Sequence, residues 1–200
     1  MIRPMTVGEA EKAAGNPRYK IIDGTVTNLD AWASKNIIPI IVPQLARMRT
    51  WSKGRVNSEG RIFAHRIIRD QIVAAFAEIE EKGFLGDVLF WGGTIARRAR
   101  RSNPNVISLH ALGLAFDLNP SYYQMGDRST WVAHDQEGSL DRIIPIFEAH
   151  GIINGQVFDD KHHFELGIDD QAMIVKPAIF DKLDQVDKLT AEIRAGLTKK

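Results

Sequence analysis

Two stretches constrain what this chain can fold into: Ser108–Asn119, and a shorter one, Asp159–Leu166. In the first, Leu114, Phe116 and Leu118 alternate with Ala115 and Asp117, the pattern of a strand with one apolar face. Asp117 then points away from the packed side, over small Ala115, which leaves space beside it. His110 would face the wrong way on a straight strand. Gly113 lies between them and can take backbone angles that reset the phase. The expectation is a turn that carries His110 and leans over Asp117. In the second stretch His163 and Glu165 share a face, while His162, Phe164 and Leu166 share the other. Phe164 and Leu166 mark that other face as the packed one.

Two imidazoles and one carboxylate suit zinc, and three protein ligands leave a fourth position for water, as catalytic sites require. His110, Asp117 and His163 therefore read as ligands. Glu165 would stand behind a ligand imidazole and fix its tautomer. Asp160, expected in a loop, would act as the base, taking a proton from water and passing it to a leaving amine. A His and an Asp seven apart also occur by chance, and adjacent His162 and His163 can be a polar strand end. Gly113, the alternation and the second carboxylate-histidine cluster together favour the metal.

Ser108, His110, Gly113, Ala115 and Asp117, followed by Asp160, His163, Phe164 and Glu165, form a pattern. It resembles the D-alanyl-D-alanine carboxypeptidase and phage L-alanyl-D-glutamate endopeptidase (endolysin) family of zinc peptidases. The resemblance covers roughly residues 35 to 168. It implies zinc on His110, Asp117 and His163, and Asp160 as the base. It also implies a substrate-holding arginine after a Gly-Gly pair. Gly92-Gly93 is followed here by arginines at 97, 98, 100 and 101; spacing favours Arg98 first and Arg101 second, with Ser108 as a further substrate contact. Phage relatives usually carry Trp-Gly-Gly after the last helix, where this chain has Ile152-Ile153-Asn154-Gly155.

The arginine cluster admits other readings. A nucleic-acid patch would want interleaved aromatics and a basic chain, but the net charge is +1. A solvated face is the plain alternative. Carboxylate recognition uses the guanidinium fork, and a peptidoglycan stem peptide has free carboxylates. The chain has no cysteine, which excludes disulfides and thiolate-metal sites. No apolar run reaches membrane-spanning length and no signal-peptide core is visible. An enzyme held in the cytoplasm until phage lysis, or carried on a virion, fits that pattern.

Residues 1–35 read as an extension packed on the domain, without visible chemistry. Thr6-Val7-Gly8-Glu9 is a capping box opening a short helix, Asp23-Gly24 a hairpin turn, and Asn28 a cap for a helix to Ala33. Ile37–Val42, broken by Pro39, reads as an edge strand. Residues 44–60 form a loop, either rimming the cleft or plain surface. A helix is expected over about Arg61–Lys82 with Gly83 as its cap, and His65 as structural or exposed. Asp87–Trp91 reads as a buried strand, Ser121–Ser139 as a long loop forming a cleft wall or lid. Leu140–His150 is a helix that Pro145 kinks or delays. A helix after Pro177 either packs on the domain or supports self-association.

The expected architecture is α+β: a central, mostly antiparallel sheet flanked by helices, of the hedgehog/DD-peptidase-like type. The peptidase domain spans 36–170, and 171–200 is a C-terminal helix. The expected function is zinc-dependent hydrolysis of an amide bond in peptidoglycan stem peptides, by an L-Ala-D-Glu endopeptidase or a D-Ala-D-Ala carboxypeptidase. The alternative is a non-catalytic zinc-containing wall-binding or virion module of the same fold.

Overall fold

A computed structural model describes residues 2–169 apart from 47, 53, 57 and 58. In chain order the elements are β1 (Ile2–Pro4), α1 (Val7–Ala13), β2 (Lys20–Ile22), β3 (Thr25–Thr27), α2 (Asp30–Asn36), β4 (Ile37–Ile41), β5 (Arg49–Thr50), β6 (Arg61–His65), α3 (Arg69–Glu81), β7 (Phe90–Gly93), β8 (Ala99–Arg100), β9 (Asn103–Ile107), β10 (Ala115–Leu118), α4 (Ile144–Ala149), β11 (Ile152–Gly155) and β12 (Asp160–Asp169).

The central sheet is built on β12. β10 and β11 pair with its first part on opposite edges, and β1 pairs with its last three residues. β7 adds beyond β10, and β5 beyond β7. All these pairings are antiparallel except β5 with β7, so the fold is α+β with a mostly antiparallel, mixed sheet. Three two-stranded ribbons, β2–β3, β4–β6 and β8–β9, complete the strands among the described residues.

The pleat separates two cores. On one face Phe116 and Phe164 stack at 5.4 Å and 6° between ring planes, joined by Phe147 and Trp91. α3 closes this core with Ile72, Phe76 and Ile79. On the opposite face Ala115 packs with Leu109, Leu112 and Leu114, and with Met5, Ala10 and Ala14 of the first fifteen residues.

Several local expectations hold. Thr6 and Glu9 form both halves of the capping box on α1. β2 and β3 flank Asp23 and Gly24, both at positive φ. Pro145 sits in the first turn of α4 and delays its start to Ile144. Others are corrected. The helix expected from Arg61 begins only at Arg69: Ile62 and Ala64 are buried while Arg61 and Phe63 are exposed, a period of two that pairs with β4. Asn28 takes φ of 65° and turns the chain instead of capping; α2 starts at Asp30 and runs to Asn36. The strand expected from Asp87 starts at Phe90, because Leu85–Asp87 forms a 3-10 turn. The loop at 44–60 contains β5 and so extends the central sheet. The helix expected after Pro177 lies outside the described residues. Among those described, no helix is long and apolar enough to cross a membrane.

Candidate metal centre

His110 lies in the buried 3-10 turn Leu109–Leu112. Gly113 ends that turn at φ of 67°, and a Cβ there would approach Ile37 Cδ1 to 2.7 Å and the His65 nitrogen to 2.8 Å. The chain can reverse phase here only without a side chain, as the sequence implied. Asp117 on β10 is paired in register with His163 on β12, so the ladder itself sets those two side by side. On its other flank lies β7, where a Cβ on Gly92 would come within 2.6 Å of Asp117 Cβ.

The hydrogen bonds assign the imidazole tautomers. His110 Nδ1 donates to the Thr94 carbonyl at 2.9 Å, and His163 Nε2 donates to Glu165 Oε2 at 3.0 Å. The remaining nitrogens, His110 Nε2 and His163 Nδ1, face each other at 3.1 Å, each 3.3 Å from Asp117 Oδ1. With the outer nitrogens committed as donors, two neutral rings would oppose lone pair to lone pair. A cation among the three atoms removes that conflict. All three potential ligand atoms lie within 4.8 Å of one another. The residues therefore fit a divalent metal with nitrogen and oxygen ligands, and Glu165 stands where an outer carboxylate orients a ligand histidine.

The electrostatics demand positive charge at this point. Burial pushes the Asp117 carboxyl up, but hydrogen bonds from His110 and His163 outweigh it and hold the group far below the ordinary carboxylate range. Burial disfavours charge on His163, yet Asp117 and Glu165 outweigh that and raise it to about 9. The carboxylates attract a proton in the absence of any better cation. A metal would compete with that proton.

Asp160 is the first residue of β12, opposite Gly155, rather than part of a loop. Its Oδ1 lies 3.1 Å from His162 Nε2, and His162 Nδ1 donates to the Tyr123 carbonyl at 3.0 Å. Asn154 secures this end of the strand by donating to the carbonyls of Lys161 (2.8 Å) and His163 (3.2 Å). A cavity of about 370 Å³ brings together His110, His163, Asp160, Glu165, Ser108, Arg98 and Arg101. Asp117 is not among the residues lining it.

Residues 101–166 match the family described as D-alanyl-D-alanine carboxypeptidase. The match supports a peptidase of this family over about a third of the chain. No curated protein and no solved structure matches the chain. The matched segment contains Ser108, the three potential ligands, Asp160 and Glu165; Arg98 precedes it.

The arginines divide by position. Arg97 pairs with Asp30 at 2.5 Å. Arg98 is half-buried in the cavity wall, its pKa lowered by burial and by Arg101, with Asp117 and Asp160 pulling the other way. Arg100 also lines the cavity, although spacing did not single it out. Phe158, whose ring sits 5.8 Å from that of His163, and Met125 line it too. So do Pro4 and Met5, from a segment with no visible chemistry in the sequence. Pro4 and Met5 carried no signal, because nothing local marks a three-residue strand that pairs with residues 167–169.

Proposed function

We propose that this chain is a zinc-dependent peptidase that hydrolyses an amide bond in peptidoglycan stem peptides. The bond is either L-Ala-D-Glu, as in endolysins, or D-Ala-D-Ala, as in carboxypeptidases. The observation that carries the reading is the pair of imidazole nitrogens 3.1 Å apart, with their outer nitrogens already committed, around Asp117. His110, Asp117 and His163 would hold the zinc, which when bound supplies a Lewis acid for the scissile carbonyl.

The other roles follow from the shared cavity. Asp160 takes a proton from the attacking water as the new carbon–oxygen bond forms. It delivers that proton to the amine nitrogen as the carbon–nitrogen bond breaks. Arg98 and Arg101 hold a substrate carboxylate, with the guanidinium fork matching its two oxygens. Ser108 adds a polar contact in the same wall, and Glu165 keeps His163 in the tautomer that presents Nδ1. The enzyme would act after phage lysis or from a virion.

Purified peptidoglycans of several wall chemistries would be incubated with the protein, with and without chelator, and the released fragments read by mass spectrometry. The expected result is chelator-sensitive release of defined peptides, which also identifies the bond. A zinc-loaded protein that releases nothing from any wall would overturn the catalytic reading in favour of a wall-binding module.

A further inference from the structure

We propose that the segment Pro4-Met5 is a specificity-determining wall of the substrate cleft. Met5 would receive the small apolar side chain beside the carboxylate that the arginines hold. The proposal rests on the peptidase reading for its ligand. The wall itself stands on separate observations, since residues 2–5 lie outside the matched family segment.

Beside His110, His163, Asp160 and Glu165, the rest of the cavity wall has two chemistries. Arg98, Arg100 and Arg101 give it positive charge, while Pro4, Met5, Met125 and Phe158 give it apolar surface. A ligand suited to both is an acidic peptide with methyl-sized side chains next to its carboxylates. Met5 is flexible and polarisable, and fits itself to irregular apolar groups. It is 6% exposed, lines the cavity and belongs at the same time to the second core, so it joins the cavity wall to that core.

Four features hold the wall in place. β1 pairs with β12 in the register Ile2↔Asp169, Arg3↔Ile168, Pro4↔Gly167, immediately beyond His163 and Glu165. Gly167 admits this docking: a Cβ there would meet Ile2 Cδ1 at 2.3 Å and Cγ1 at 2.4 Å. Arg3 forks the Glu9 carboxylate at 2.7 and 3.0 Å, and Glu9 also accepts the Thr6 amide at 2.8 Å, which brackets Pro4-Met5 on both sides. These bonds hold the Glu9 carboxyl at about 2, with Arg3 the first cause and Thr6 the next. Ala10 of α1 and Ala14 at its C-terminal end pack in one core with Leu109, Ala111 and Leu112, the turn that carries His110. The wall and the metal turn therefore share one packing unit.

The test uses the full zinc-loaded chain labelled with 13C at the methionine methyls. A synthetic stem peptide containing D-Glu and ending in D-Ala is titrated in. Met5→Leu assigns the Met5 signal by its loss. The Met5 and Met125 signals should shift on titration, while that of Met48, away from this cavity, stays. Shifts at Met125 without Met5 would overturn the wall and leave the peptidase reading intact. No shift at either would overturn both. In turnover assays Met5→Ala should raise KM on the order of tenfold with kcat unchanged, and Met5→Leu should restore it. A fall in kcat without a rise in KM would count against the proposal.

Discussion

The two faces of the β10–β12 pair carry opposite chemistry on adjacent residues. Phe116 and Phe164 are cross-strand partners, and so are Asp117 and His163, one position along. The first pair stacks into an aromatic core in which each buried ring contributes about 1.5–3 kcal/mol. The second pair removes charge from water, which costs several kcal/mol per ion unless partners compensate. Asp117, Glu165 and Asp160 crowd the polar side; imidazoles and arginines offset them, as a bound cation would. The apolar face thus supplies the stability and rigidity that the polar face consumes. A pleat of period two lets one strand do both.

This division can be broken at four points. On the polar face Asp160→Asn should lower kcat by roughly 100- to 10,000-fold, the usual scale for removing an acid-base group, while zinc content stays unchanged. Turnover near the wild-type rate would remove Asp160 from the mechanism. On the apolar face Phe164→Ala should cost about 3–5 kcal/mol of stability, read from urea unfolding. The fraction still folded should bind zinc at the original stoichiometry. If zinc were lost from folded protein, the faces would not be separable.

A third test uses a buried imidazole outside the candidate metal centre. His65 stacks on Trp32 and accepts the Ile67 amide at its Nδ1. Burial, then the charge of Arg66, lower its pKa from 6.5 to about 4 against a small opposing effect of the Ala14 carbonyl. The folded state therefore binds this proton less readily than the unfolded state. Its contribution is complete above the unfolded value and falls away as pH drops from about 6.5 towards 4, by about 3 kcal/mol. His65→Leu should flatten that part of the stability–pH curve; an unchanged slope would mean that His65 is not the group responsible. The smallest effect is expected from Glu165→Gln, which keeps the shape but weakens the orientation of His163. Zinc affinity should fall about 10- to 100-fold by competition with a chelating dye. An affinity equal to wild type would show that the Thr94 and Asp117 contacts suffice.

What was legible in the sequence was local or strictly periodic. The alternation around Asp117 and His163, the need for Gly113, the Thr6–Glu9 box and the Asp23-Gly24 turn all depend on neighbours a few residues apart. Less legible was β6, because Ile68, Ile72, Phe76 and Ile79 set a helical spacing directly after it, and only Ile62 and Ala64 carry its own period of two. Contacts between distant segments were not legible. Asn119 is a case: it is fully buried, its Oδ1 accepts the amides of Leu89 and Phe90 at 2.8 and 2.9 Å, and its Nδ2 donates to the Asp87 and Gly138 carbonyls at 2.6 and 3.0 Å. It pins the long 121–139 segment to β7, yet in the sequence it is one amide before a proline. In the site, the approach of Asp117 to His163 could be read because strand period placed both on one face. The cavity wall could not, because it draws on Pro4 and Met5, the arginine hairpin and Phe158, which only the tertiary fold unites.

The layout of β12 has a consequence for how such a protein can change length. His163, Glu165 and the docking site of β1 occupy a single run of backbone with fixed parity, and Asp160 precedes it across a register shift against β11. One residue inserted within it would exchange imidazole and phenyl between the two faces and misalign the strand that follows. Surface segments tolerate growth cheaply, since doubling a loop adds only about 0.6 kcal/mol of closure entropy. Anyone grafting new selectivity onto this scaffold should therefore vary the 124–136 loop and the side chains at positions 4 and 5, and leave the spacing of 160–169 untouched.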